Sequence, residues 1–323
     1  MSLKTKNRID LISRFLILLV VILVLALLQP TAFLSSSNLT QVIFQQAPFT
    51  ILMAFGMSLA IISNGIDISM ASNMVLSAYF SAPYFQSGNY ILGIIISFGV
   101  GALLGFCNGL LISKVKIEPF IATFSIDFVA LGFAYVVCDG VYIYGFPDAF
   151  RSLTNGSLIP GIPNIALVTI LVFAVLFFVT KFTTYGRNLY SVGFNRVAAK
   201  FSGVRTDNII LSIYVINGCL ASLTGILYLS RLNAADPTIR GTLTIDSIAS
   251  ALIGGIAFGG GKGSVLNTVI GALVIMFIRN GMNIMGVSTN WQQAVVGFVI
   301  LFSLFYERGL NLLMARFAEK KKE

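Results

Sequence analysis

Long, unbroken apolar runs recur along the chain, and they constrain its fold more than any other feature. They fall at residues 15–33, 42–62, 69–85, 90–112, 120–138, 164–180, 209–230, 242–258, 265–285 and 291–306. Most approach the roughly 20 residues that an α-helix needs to cross the hydrocarbon of a bilayer. Strands of a membrane β-barrel would alternate in polarity, whereas these runs are apolar throughout. The pattern predicts an all-α polytopic membrane protein of about ten transmembrane helices, forming a single transmembrane domain over residues 1–323. Charge agrees with this. Only 21 residues are Lys or Arg and 12 are Asp or Glu among 323, too few to cover a soluble domain, in which roughly a quarter of residues are charged.

The third and eighth runs are short and carry Asn, Asp and Gly, which suits broken or tilted spans. Lys4, Lys6, Arg8 and Arg14 precede the first run as they would in a signal peptide. That run is about 19 residues, long for a signal-peptide core, and no small-residue cleavage site follows it. It is read as the first helix, with both termini in the cytoplasm. The cations then sort by side. All 21 except Arg151, Arg231, Arg240 and Arg279 fall on the inner side, in the tails 1–14 and 308–323, the loop 181–208 and shorter turns. This is the positive-inside bias, and it accounts for the net charge of +9 with a lipid bilayer and no nucleic acid. Spans 2–5 and 7–10 run in opposite directions, which allows the inverted repeat common among transporters.

Several kinds of chemistry are excluded. The chain has no His, so it has no His-metal site, His general base or His proton relay. Cys107, Cys138 and Cys219 stand singly in apolar runs and read as inert buried thiols, with no metal-ligand or disulfide spacing. No catalytic constellation is visible. Gly259-Gly260-Gly261-Lys262-Gly263-Ser264 imitates a phosphate loop, but Ile256 stands where its first Gly belongs and Gly263 follows the Lys. It reads as a permissive turn between helices.

The polar residues at membrane depth remain. Asp67, in Gly65-Ile66-Asp67-Ile68-Ser69 with Asn64 before and Asn73 after, is either the cap of the next helix or a pathway residue. Asp127 is the most isolated acid inside a span, and such an acid could couple a secondary transporter to an ion gradient. The amides, Asn280 and Asn283 among them, suit either a neutral polar solute or helix–helix bonding. In the inner loop, residues 194–203 form an amphipathic helix with Phe194, Val197, Ala198 and Phe201 on one side. Such a helix either lies on anionic lipid or docks in a partner's groove.

Ordered motifs over nearly the whole chain resemble one known family. They are Gly65 to Ser69; Gly186-Arg187, Tyr190, Gly193, Asn195, Ala198-Ala199 and Ser202-Gly203; Arg231-Leu232 and Pro237-Thr238; Asp246, Ile248-Ala249 and Gly254-Gly255; Gly260 to Gly263; and Asn280-Gly281, Asn283 and Gly286-Val287. The family is that of the membrane permeases of ribose-type ATP-binding-cassette importers, whose branch also takes galactose, xylose and a furanose signal. The resemblance implies a binding-protein-dependent sugar importer of the bacterial inner membrane. Two permease subunits, identical or homologous, would pair around a pathway. A cytoplasmic ATPase with two cassettes would hold ATP and Mg, and an extracytoplasmic sugar-binding protein would deliver the substrate. The permease itself would be no enzyme and bind no cofactor. Asn195, Arg196, Ala198, Ala199, Lys200, Ser202 and Gly203 would form the coupling helix. Arg231 and Arg240 would face the binding protein, and Asn64, Asp67, Asn73, Asp127, Asn280 and Asn283 are pathway candidates. The sequence departs from the family pattern at Met70-Ala71-Ser72 after the first motif, at Leu131 beside Gly132, and at Thr244 before Asp246. The alternative is gradient-driven transport through Asp127 or Asp67.

Overall fold

A computed structural model describes residues 3–139, 141–236 and 241–319, with the backbone alone for 3–10, 138, 304 and 306–319. In chain order the helices are α1 (Leu3–Leu28), α2 (Pro30–Phe33), α3 (Ser36–Thr40), α4 (Ala47–Ile62), α5 (Met70–Gln86), α6 (Tyr90–Leu110), α7 (Pro119–Cys138), α8 (Asp148–Asn155) and α9 (Asn164–Phe182). They continue as α10 (Thr184–Phe194), α11 (Arg196–Phe201), α12 (Thr206–Leu232), α13 (Leu243–Ile253), α14 (Val265–Ile284) and α15 (Thr289–Glu319). Wider π-helical turns, Gln41–Gln46 and Leu111–Val115, lead into α4 and out of α6. The one sheet among the described residues pairs β1 (Ile143–Tyr144) with β2 (Ala234–Ala235), antiparallel, with Ile143 opposite Ala235.

Among the described residues, seven helices are long and apolar enough to cross a membrane: Leu11–Leu28, Ser36–Ile62, Tyr90–Val115, Pro119–Val137, Asn164–Phe182, Thr206–Leu232 and Val265–Ile284. The chain is therefore an all-α polytopic membrane protein. The sequence windows differ from the helices in three places. The third window forms a continuous α5, and the break lies before it, at residues 63–69. The eighth yields only the 11 residues of α13, because the glycines from Gly254 onward turn the chain before a span is complete. The last runs on helically through Glu319, beyond the expected tail boundary at 308.

Helix α4 is buried along its whole length and forms the centre of the packing, while α1, α6, α7 and α9 turn broad apolar faces outward. Apolar faces gain little by meeting in lipid, so close packing and hydrogen bonds must hold the helices together. Helices α6 and α12 do this by near contact of backbones. A Cβ at Gly105 would lie 2.2 Å from Tyr214 O, and one at Gly218 would lie 2.0 Å from Gly101 O. Ser222 Oγ then donates to Ser97 O at 2.8 Å across the same seam. At the end bearing β1 and β2, Tyr79 Oη donates to Ala235 O at 2.9 Å, and Asn233 Oδ1 accepts from Phe146 N at 2.9 Å.

Candidate functional site

After Ile62 the chain leaves α4 through Asn64, at φ 63°, and crosses to α5 as an extended segment held from several sides. Asp67 is 2% exposed. Its Oδ1 accepts from Ser69 Oγ at 2.7 Å and from Ser69 N at 3.2 Å, a local turn that starts α5. Its Oδ2 accepts from Asn217 Nδ2 of α12 at 3.1 Å. Asn108 of α6 donates to Ser69 Oγ at 2.7 Å, Tyr214 of α12 to Ile66 O at 3.2 Å, and Ile68 N to Thr123 Oγ1 of α7 at 3.2 Å. Asp67 is therefore not the cap of α5, whose N-cap residue is Ser69 without a side-chain cap bond; it fixes the turn before the helix and ties it to α12. Further along α5, Asn73 Nδ2 donates to Gly101 O at 3.1 Å. Asp127 is 6% exposed and accepts from Ser72 Oγ, so the acid that looks isolated in sequence has a partner one helix away.

Asn280 and Asn283 belong to a different place. Asn280 and Asn38 exchange amide hydrogen bonds of 2.8 and 3.0 Å, and Asn283 Oδ1 accepts from Gln292 Nε2 at 2.7 Å. Beside them Arg279 Nη2 meets Asp246 Oδ1 at 2.6 Å, and Thr242 Oγ1 donates to Asp246 Oδ2 at 2.8 Å. These groups bond α3, α13, α14 and α15 to one another. The buried Arg279–Asp246 pair was not anticipated. A cation within one apolar run and an acid within another were the signal for it. Arg231 is half-buried, donating to Asn155 Oδ1 at 2.7 Å and to Gln45 Oε1. Arg240 lies outside the described residues.

The loop 181–208 folds as two helices. Asn195, at φ −158° and ψ 103°, interrupts the helical path, and its Oδ1 caps α11 by accepting from Ala198 N at 2.9 Å. The helix ends at Ser202, whose Oγ donates to Ala198 O at 3.0 Å, and at Gly203, whose φ of 84° favours glycine. Ala199 is buried, whereas Phe194, Val197 and Phe201 are 74%, 65% and 89% exposed. Arg196 Nη2 donates to Asp207 Oδ1 at 3.0 Å, and Lys200 is exposed.

The base of this unit is a joint of main-chain atoms. A Cβ at Gly193 would lie 1.7 Å from Ile62 O. Gly261 N donates to that same Ile62 O at 2.8 Å. A Cβ at Gly260 would lie 2.7 Å from Gly193 O. Tyr190 Oη donates to Gly263 O at 3.0 Å, and burial raises the phenol's pKa above its ordinary value. The glycine run expected to be a permissive turn between helices thus also packs Gly260 and Gly261 against the ends of α10 and α4, where a side chain at either would not fit.

Comparison with known proteins decides what this assembly belongs to. A family model described as the permease component of branched-chain amino acid transport systems matches residues 39–304. The chain belongs to this permease family. The permease is 35% identical over 301 residues to the D-allose transport system permease protein of Escherichia coli (strain K12), covering 93% of this chain and 92% of that one. It is 36% identical over 297 residues to the ribose import permease protein of Bacillus subtilis (strain 168), covering 91% of each. It is 29% identical over 299 residues to the fructose import permease protein of Rhizobium meliloti, covering 88% and 81%. No solved structure matches the permease.

Proposed function

We propose that this chain is the membrane permease subunit of an ATP-driven importer for a monosaccharide of the ribose, allose or fructose kind. The observation that carries the reading is α11, a short capped helix that turns Val197 and Phe201 outward beside the exposed Phe194 at the end of α10, with the end of α10 seated on the end of α4. Exposed apolar side chains on so short a helix fit a partner's groove. The loop's cations support a cytoplasmic position for this end, where a two-cassette ATPase, holding ATP and Mg, would receive the helix. With α5, α15 and the short α13 each counted as a crossing beside the seven long helices, the count would be ten and both termini would lie on that side. Arg231 stands at the opposite end, where a sugar-binding protein would dock, and a second permease subunit would complete the pathway.

Gradient-driven transport through Asp67 or Asp127 finds no support in the family match, and both carboxylates are engaged in bonds between helices. Affinity purification of the tagged chain from native membranes tests the proposal. A double-cassette ATPase is expected among the co-purifying proteins, together with ATP-dependent uptake of one of these sugars by the reconstituted complex. Sugar uptake by the chain alone, driven by an ion gradient, would overturn it.

A further inference from the structure

One carboxylate beside α11 gathers three cations. Asp207 lies in the first turn of α12. Its Oδ1 accepts from Lys116 Nζ at 2.9 Å and from Arg196 Nη2 at 3.0 Å, and Lys114 Nζ is 3.6 Å from Oδ2. Lys114 lies in the π-helical turn that ends α6, and Lys116 follows it at φ 68°. Arg196 opens α11 and also reaches Ser113 O, in that same turn, at 3.4 Å. The four side chains are between a third and just over half exposed. Ion pairs so placed add little to stability, so the cluster's contribution is geometric.

The covalent link from α11 to α12 is the short turn 202–205, with Gly203 in its left-handed conformation. Val204 N donates to Ala199 O at 3.0 Å across this turn, which ties α11 to the start of α12 but not to the end of α6. We propose that Asp207 is a positioning residue that makes α11, the end of α6 and the start of α12 move as one body. This rests on the reading of α11 as the coupling helix. Helices α6 and α12 grip the 63–69 segment from two sides, through Asn108 on Ser69 and through Tyr214 and Asn217 on Ile66 and Asp67. Displacement entering at Arg196 therefore reaches both grips together. Without the carboxylate, Lys114, Lys116 and Arg196 repel one another, and α11 loses its ionic tie to the end of α6 while keeping its seats at Gly193 and at buried Ala199.

The test uses Asp207→Asn and Asp207→Glu in the full chain in nanodiscs. The native cysteines are replaced by alanine, and nitroxides are placed at Val115→Cys and Val197→Cys, positions 62% and 65% exposed. Pulsed electron paramagnetic resonance is expected to give one narrow distance for the parent and the Glu variant, and an added longer population for the Asn variant. A parent-like distribution in Asp207→Asn would overturn the proposal. If that variant fails to insert, Arg196→Gln must show the same added population, and a parent-like result there overturns it equally. In the complex with ATPase and binding protein, ribose moved per ATP should fall about fivefold or more in Asp207→Asn and recover in Asp207→Glu. An unchanged ratio would also overturn it. A parent chain that recruits no ATPase would overturn the coupling reading, while the distance measurement still decides the role of Asp207.

Discussion

Asp67 shows how much one buried carboxylate can organise. Its two oxygens receive Ser69 and Asn217, and Ser69 in turn receives Asn108. Removing the acceptor leaves buried donors unpaired, at a cost of about 1–3 kcal/mol each. Asp67→Ala is therefore expected to unfold at lower temperature in detergent and to lose uptake, whereas Asn280→Ala, at the far end of α14, should leave the Asp67 segment intact. Protease protection of residues 63–69 checks the difference. At Gly193 the limit is steric rather than polar. Even the single methyl of Gly193→Ala would overlap Ile62 O, so the variant is expected to lose sugar transport per ATP while still inserting. Normal coupling would place the drive elsewhere. The sequence motif that includes Gly193 was legible, but its reason was not, because the contacting atom is a carbonyl more than a hundred residues away in the chain.

At the level of elements, helices α6 and α12 make a test of packing without hydrophobic drive. Gly105→Leu would force their backbones apart, and a marked loss of thermal stability is expected. Gly99→Leu on the same helix, where a Cβ meets nothing within 4 Å, should be neutral. Equal effects of the two would mean that the seam does not hold the fold. For α11 the expectation is reversed. Phe201→Ser removes a side chain that is 89% exposed, so stability should hold while recovery of the ATPase falls. Spans were legible from apolar length alone, and α11 from its periodicity. The breaks were not. Residues 63–69 and the stop of α13 depend on tertiary hydrogen bonds and on glycine conformations that hydropathy does not record. The amides, which sequence leaves open between solute and helix contacts, resolve in several places toward contacts, as Asn280 with Asn38 illustrates.

For the whole molecule, sidedness is the open physical quantity, and two exposed positions define it. Leu158 is 83% exposed at the end bearing α8, and Phe201 lies at the opposite end. With single cysteines in intact cells, a membrane-impermeant maleimide is expected to label position 158 from outside and position 201 only after the membrane is opened. The reverse pattern would invert the topology and remove the ATPase from reach of α11. The charge asymmetry is what predicts this orientation, and it needs no fold, because lysines and arginines are counted along the chain rather than in space.

The joint at Gly193, Ile62 and Gly261 carries a last consequence. Gly193, Ile62 and Gly261 meet there through main-chain atoms, and the main chain is chemically the same in any protein. A mechanical bearing of this kind has no vocabulary in which to name a cargo. What the transporter selects must be spelled in side chains elsewhere, so the drive end and the recognition end are free to be altered independently.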